Sequence, residues 1–475
     1  MPSLVDVLPQ DLIDRLIDLL WSEGKRFDIR KYALLCRVFL PRSQHHLFSY
    51  IKLDRGRVHG FHEILQRTPS IAKAVRAVHL VLDGGRCDWM VEAWAADFMY
   101  ILKSITQPTT LPESTSLREL KIETQYSSGS NIKSAQLFLE RVFKPFFAPH
   151  ITSLHIESLP KVPINVIDSC VALTELTLVS APLNLNYGRS NNQTHPQFSP
   201  RRHKLRRLEY TDPGEVKLLT IAAPPTRSRL DLSELRSLHF HMESLDEAAS
   251  QQWIIDESAA TLEELHFKNF DDPGESLAIY YRIFILNYDK ESELGWFINL
   301  KACPNLRVLD LDIRLGHPTA GGNEDDIHTL SLVLSRLPKP NRLDTIRLEA
   351  YVGYVWSVDD PQDILNADWE SLQSQLLDVA AGKAIFEFSF MMTYLNVNYE
   401  ARMEQGSEEG MEDGSDSSEE GMEDGSDSSE EGMEERLMRD RCEAALDRLR
   451  TEKLAKLSSI GIVNLTHYVD IPHQS

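Results

Sequence analysis

Apolar and polar residues alternate in short bursts along most of the chain, and between the bursts the apolar spacing lengthens to that of helices. The template LxxLxL, with any apolar residue at its three key positions, recurs as VRAVHL (75–80), LRELKI (117–122), ITSLHI (151–156), LTELTL (173–178) and LRRLEY (205–210). It continues as LRSLHF (235–240), LEELHF (262–267), LRVLDL (306–311), LDTIRL (343–348) and IFEFSF (385–390). Each match ends in apolar–polar–apolar alternation, which predicts a short half-buried strand. Helical spacing fills 89–105, 135–147, 244–260 and 363–380 between them. Strand, helix and strand in repetition predict parallel strands joined by right-handed crossovers. The fold class is therefore α/β.

The first 54 residues differ. Leu12, Ile13, Leu16, Ile17 and Leu20 share one face of a helix expected over 10–21, with Pro9 at its first position and Asp11 at the positive end of its dipole. Apolar clusters follow at 32–36 and 38–40, with Pro41 expected to end that helix. A third cluster runs from His46-Leu47-Phe48 into Ile51 and Leu53. Three short helices bury too little of their own surface, so this unit should expose an apolar face that needs a partner.

Charge changes the picture in one place. The chain of 475 residues has 72 Asp and Glu against 50 Lys and Arg, for a net charge of −22. That balance argues against a nucleic-acid binder held by phosphate contacts. Residues 403–435 contribute 15 of the acids and no Lys or Arg, so the rest is only mildly acidic. There GMEDGSDSSEE stands twice in tandem, at 410–420 and 421–431, a composition expected to stay disordered. Ser417 and Ser428 each precede a Glu by three positions, which suits phosphorylation by an acidophilic kinase. The plainer reading is a spacer grown by duplication. Helical spacing resumes at 434–458, and GIVNLTHYV (461–469) reads as a last strand.

The five cysteines, Cys36, Cys87, Cys170, Cys303 and Cys442, lie far apart with no CxxC pair. That excludes a zinc ribbon or a disulfide framework readable from spacing and suggests a reducing compartment, cytoplasmic or nuclear. No apolar run suggests a membrane helix, and the first residues lack the basic start of a secretory signal.

The N-terminal pattern resembles the F-box family. The residues that carry the likeness are Leu8-Pro9, Ile13, Leu16, Leu20, Leu34, Cys36-Arg37, Phe39, Leu47-Phe48, Ile51 and Leu53, and YALLCRVFLPRSQHHLFSYIKL is similar to F-boxes of mushroom-type fungi. Phe39 stands where many members carry Trp. The resemblance implies binding of the Skp-type adaptor, and through it a cullin, by Leu8, Pro9, Ile13, Leu16, Leu20, Leu34, Cys36 and Phe39. The alternative is a plain helical cap on the following domain.

The repeated strands resemble leucine-rich repeats, most closely in CVALTELTL and CPNLRVLDL. Cys170 and Cys303 each sit three residues before the first leucine of their strand, a shared phase that implies a shared packing role. Departures are clear. Match starts lie 22 to 44 residues apart. Gln125, Leu159, Ala181, Pro213, Glu243, Phe270, Arg314 and Tyr351 stand where regular repeats carry Asn or Cys, so the buried Asn ladder is missing. The resemblance implies an irregular solenoid with parallel strands on its concave side and helices outside. The expected organisation is an F-box at 1–54, the solenoid at 55–400, an acidic disordered loop at 401–433 and a closing helix and strand at 434–475.

Chemistry-bearing motifs are sparse. No GxGxxG, GxxxxGK[ST] or GxSxG occurs, which argues against a doubly wound enzyme. His62-Glu63 begins like HExxH, but position 66 is Gln, so the zinc motif fails. The basic run RRHKLRR (201–207) is read as a loop entering a strand, with nuclear import as the alternative. The polar position between the last two apolar residues of each strand reads His79, Lys121, His155, Thr177, Glu209, His239, His266, Asp310, Arg347 and Ser389. In a solenoid these line the concave surface. Lys121, His155, Glu209, His239, His266, Asp310 and Arg347 are the candidate target-binding residues.

The resemblances together imply a non-catalytic substrate-recognition subunit of an SCF-type cullin ubiquitin ligase, with an unknown protein target and no cofactor, metal, nucleic acid or membrane. The competing class is an interaction scaffold acting outside any ligase.

Overall fold

The computed structural model describes residues 8–22, 26–35, 37–83, 95–106, 117–125, 138–159, 162–163, 165–181, 183–184, 203–211, 230–241, 245–268, 298–315, 326–352, 368–380, 385–393, much of 436–456, and 463–470. The chain divides into two compact units, Met1–Leu235 and Arg236–Ser475. Both are α/β, and each is built on a parallel sheet.

The first unit opens with α1 (Gln10–Ser22), α2 (Arg26–Leu35) and α3 (Leu40–Leu47). The apolar residues of α1 split between two faces. Ile13 and Ile17 pack with Ile29 and Phe39 in a small core, joined by Leu20, Trp21, Tyr32, Val38 and Leu47. Leu12, Leu16 and Leu19, at i, i+4 and i+7, stay exposed. Pro9 precedes the helix and its carbonyl accepts the N–H groups of Leu12 and Ile13. Pro41 starts α3 and does not end α2, because its missing N–H costs nothing in a first turn. Ile51 and Leu53 are not helical: they belong to the strand β1 (Tyr50–Leu53).

That strand opens a sheet of β2 (Ala77–Asp83), β3 (Glu119–Gln125), β4 (Ser153–Glu157), β5 (Glu175–Val179) and β6 (Arg207–Tyr210). Each strand pairs in parallel with the next in sequence. Between them run α4 (Arg57–Arg67), a 3₁₀ turn (Pro69–Ala74), α5 (Ala95–Thr106), a π-helical stretch (Leu139–Phe147) and α6 (Asn165–Ser169). Pro145 sits inside the π-helical stretch, where it lacks the donor an α-helical ladder needs. Two short parallel strand pairs are separate from this sheet, Val162–Pro163 with Leu183–Asn184 and His203–Lys204 with Leu230–Asp231.

The second unit repeats the plan with β7 (Ser237–His241), β8 (Glu264–Lys268), β9 (Val308–Leu315), β10 (Thr345–Val352), β11 (Ile385–Thr393) and β12 (Val463–Asp470), again parallel in sequence order. Its helices are α7 (Leu245–Ser258), α8 (Asp326–Ser335) and α9 (Trp369–Ala380). A last π-helical turn, Leu449–Lys453, precedes the Lys456 N–H that donates to Gln373 Oε1 on α9 at 3.1 Å. The acidic segment 401–433, with Ser417 and Ser428, lies outside the described residues, as does Cys36.

The key apolar positions of the first nine template matches are all buried, from Val75, Val78 and Leu80 to Leu343, Ile346 and Leu348. The tenth is out of phase by two. Ile346 pairs with Phe386 and Leu348 with Phe388, so Glu387, not Ser389, continues the polar row. Alternation at Phe386, Phe388 and Phe390 lets the last two key positions fit in either register, and pairing selects the one whose first key position is Lys383, which an apolar template passes over.

In place of an Asn ladder, Ser158 and Ser180 turn the chain with positive φ, 55° and 46°, directly after β4 and β5. The Ser158 N–H donates to the Val179 carbonyl at 2.8 Å. The Ser180 N–H donates to the buried Thr211 Oγ1 at 2.7 Å. Cys170 and Cys303 lie in matching turns, each N–H reaching the carbonyl three residues back, at Ile167 and Leu300. Both are fully buried, and burial pushes each thiol up to about 12.

Candidate binding surface

Parallel pairing without offset sets the polar strand positions side by side. In the first unit Lys52, His79, Lys121, His155, Thr177 and Glu209 form one row across β1 to β6. Residues two further along a strand point to the same face, so Glu123 and Glu157 stand beside this row.

The row is a packed ionic strip rather than a set of free side chains. The Lys121 ammonium lies 2.5 Å from Glu157 and 3.8 Å from Glu123. Burial works against its charge, but the two carboxylates, Glu157 foremost, hold it above the ordinary lysine range. Glu157 is half-buried, which disfavours its charge, yet the hydrogen bond from Lys121 draws its carboxyl below the ordinary range. His155 stands 3.3 Å from Glu157, and burial, then the Lys121 charge, lowers its imidazole. His79 is buried between the Tyr50 hydroxyl and Glu123, each 2.6 Å away, and burial lowers it too. His79 and Thr177 are thus not solvent-facing, as the strand alternation implied; their neighbours cover them. Glu209 receives Arg207 at 3.3 Å and Thr177 at 3.5 Å.

The second unit carries its own row, His239, His266, Asp310, Arg347, Glu387 and Asn464. The imidazoles of His239 and His266 stack with centroids 3.8 Å apart and planes at 17°. His266 Nδ1 lies 2.9 Å from Asp310 Oδ2, and His239 Nε2 lies 3.0 Å from Ser237 Oγ. Glu264 adds a third ligand-type atom within 4.8 Å of the histidine pair. Arg347 Nε donates to Glu387 at 2.5 Å, and that bond raises the guanidinium above its usual value.

A second surface lies on the helical module. Leu8, Leu12, Leu16, Leu19 and Leu34 are exposed, Leu34 by 87%. Of the other adaptor candidates, Pro9 is exposed beside Leu8, Leu20 is half-buried against the small core, and Ile13 and Phe39 are inside it. The last two hold the module together and offer almost no surface. Next to this module Trp21, Arg42, His45, His46, Tyr50 and Arg76 line a cleft of about 420 Å³. Burial, and then the Arg76 and Arg42 charges, lower the His45 imidazole there.

Sequence reasoning missed Lys52, Glu123, Glu157, Glu387 and Asn464. The period of two along each strand contained the signal for Glu123 and Glu157, since each lies two residues beyond a chosen position.

No family model, curated protein or solved structure matches the chain. No helix among the described residues is long and apolar enough to cross a membrane.

Proposed function

We propose that this chain is the substrate-recognition subunit of an SCF-type cullin ubiquitin ligase, non-catalytic itself, with an F-box at its N-terminus and an irregular leucine-rich-repeat solenoid behind it. The observation that carries the reading is the divided apolar content of α1. Ile13 and Ile17 serve the module's own core, while Leu12, Leu16 and Leu19 are exposed. Covering a leucine side chain is worth roughly 1.5–3 kcal/mol, so a partner that accepts this stripe gains affinity there. A Skp-type adaptor is the partner implied by the family likeness. The polar rows then suit a target protein held by charged and hydrogen-bonding groups, a contact weakened by salt.

The test is co-purification of the full chain with a Skp-type adaptor, comparing wild type with Leu12→Ala, Leu16→Ala and the pair. Each single change should weaken adaptor binding about tenfold or more, as hot-spot truncations of 2 kcal/mol or so do. A folded wild type that captures no adaptor would instead support a scaffold outside any ligase.

A further inference from the structure

We propose that His59, His62 and Asp97 form a binding site for a first-row divalent transition-metal ion such as Zn²⁺, pinning α4 to α5. The HExxH motif fails at Gln66, but α4 brings a different pair together. His59 and His62 are three residues apart on one helix face, and Asp97 in the first turn of α5 faces both. His59 Nδ1 is 2.9 Å from Asp97 Oδ2, and His62 Nδ1 is 3.0 Å from Asp97 Oδ1. All three ligand-type atoms lie within 4.8 Å of one another.

Four-coordinate zinc with bonds of about 2.0–2.1 Å spaces its ligand atoms about 3.3 Å apart. The two His–Asp contacts, one to each Asp97 oxygen, therefore lie a few tenths of an ångström short of that spacing, and the imidazole nitrogens, within 4.8 Å of each other, close towards it. Two neutral nitrogens and one carboxylate oxygen suit zinc and its neighbours better than Mg²⁺ or Ca²⁺, which prefer all-oxygen sets. His59 is 57% exposed, so the fourth position stays open to water.

The outer partners strengthen the assignment. A ligating imidazole usually donates its far N–H to a second group that fixes the ring. His59 Nε2 lies 3.4 Å from Glu63 Oε1, one turn on. His62 Nε2 lies 3.0 Å from the Gln66 side-chain amide, also one turn on. With the metal bound, both Nδ1 atoms give their lone pairs to it and both rings carry the proton on Nε2. Glu63 accepts one of these protons as it stands, and Gln66 accepts the other after its amide turns over to present oxygen. The Tyr100 ring, edge-on to His62 at 4.8 Å, limits how that imidazole can rotate.

The experiment is calorimetric titration of the full chain, stripped with chelator, using Zn²⁺, with Co²⁺ absorption as a report on coordination. The expected result is one equivalent that disappears in His59→Gln/His62→Gln and survives in His239→Gln/His266→Gln. Glu63→Gln should keep that equivalent but weaken it about tenfold or more, the usual size of an outer-partner effect. The acidic run at 403–435 is common to all variants and cancels in the comparison. A wild type that binds no Zn²⁺, or a His59→Gln/His62→Gln variant that keeps the same equivalents, overturns the proposal. Should that double variant fail to fold, an unchanged affinity in Glu63→Gln overturns it equally.

Discussion

Arg42 grips Asp18 with two parallel hydrogen bonds, Nε to Oδ1 at 2.6 Å and Nη2 to Oδ2 at 2.8 Å, tying α3 to α1. His46 adds a third contact to Asp18 at 2.6 Å and stacks on Trp21 with centroids 5.2 Å apart. The Arg42 hydrogen bond is the main reason the Asp18 carboxyl falls to about 2. A depressed carboxyl stabilises the fold above its unfolded value of 3.8, and that contribution fades as pH falls towards 2. Both side chains are more than a third exposed, so solvent screening limits the pair to about 1 kcal/mol. Arg42→Gln should therefore lower stability by about that much at pH 6, and by less at pH 3. Urea unfolding followed by tryptophan fluorescence at the two pH values reads the difference.

His79 and His155 set an opposite region of the pH scale. Burial holds both imidazoles below their ordinary 6.5. The unfolded chain then takes up more protons than the folded one, so stability contributed by these residues is present above about pH 6.5 and is lost as pH falls. Replacing both by Gln should flatten the drop in melting temperature between pH 7.5 and pH 5.5. A drop equal to wild type would show that the protons bind elsewhere.

Thr211 Oγ1 takes the N–H of left-handed Ser180. Thr211→Val keeps the shape but strands that donor, which should cost about 1–2 kcal/mol. Ser180→Val should also destabilise, since a β-branched residue tolerates positive φ poorly. Ser180→Gly should be close to neutral, as relief of strain offsets added chain entropy. Denaturant midpoints of the three variants separate these effects.

Thiols held at about 12 are not nucleophiles at neutral pH. Alkylation of the native protein at pH 8, mapped by mass spectrometry, should leave Cys170 and Cys303 unmodified. Both should react once the protein is unfolded in guanidinium.

Val463–Asp470 completes the second unit by pairing along β11. A chain ending at residue 400 uncovers that strand and should melt at lower temperature than the full chain. Deleting 403–431 keeps β12 and should leave the melting temperature nearly unchanged. Equal melting of the full chain and the chain ending at 400 would show that the last strand contributes little.

Strand existence was legible because burial repeats at fixed places: Leu154 and Ile156 go in and His155 goes across, nine times over with different residues. Register was legible only where a match has a polar residue to break the tie. At β11 the phenylalanines fit either way, and Lys383 at the first position of the paired register points the template to Ser389 in place of Glu387. Facing alone also misjudged His79, because cover comes from Tyr50 and Glu123, which no single-strand pattern contains. On α1 the five apolar residues look like one face. Which of them turn inward is decided by Ile29 and Phe39 from other helices. The His59–His62–Asp97 cluster joins residues 38 apart along the chain at its widest, and one helix alone contains only the two histidines.

The strand pairings also fix an order of difficulty in folding. Within the main sheet of each unit every strand pairs only with its neighbours in chain order, so each pairing closes a single crossover. Leu154 meets Leu176, 22 residues on, whereas Phe386 meets Val463, 77 residues on. Closure entropy grows with the logarithm of length, so the last pairing costs about 1 kcal/mol more than the shortest. It also brings in partners most distant along the chain, the kind of contact that forms slowly. The edge at β11 is therefore the one whose covering, by β12, carries the largest closure cost among the strand pairings described.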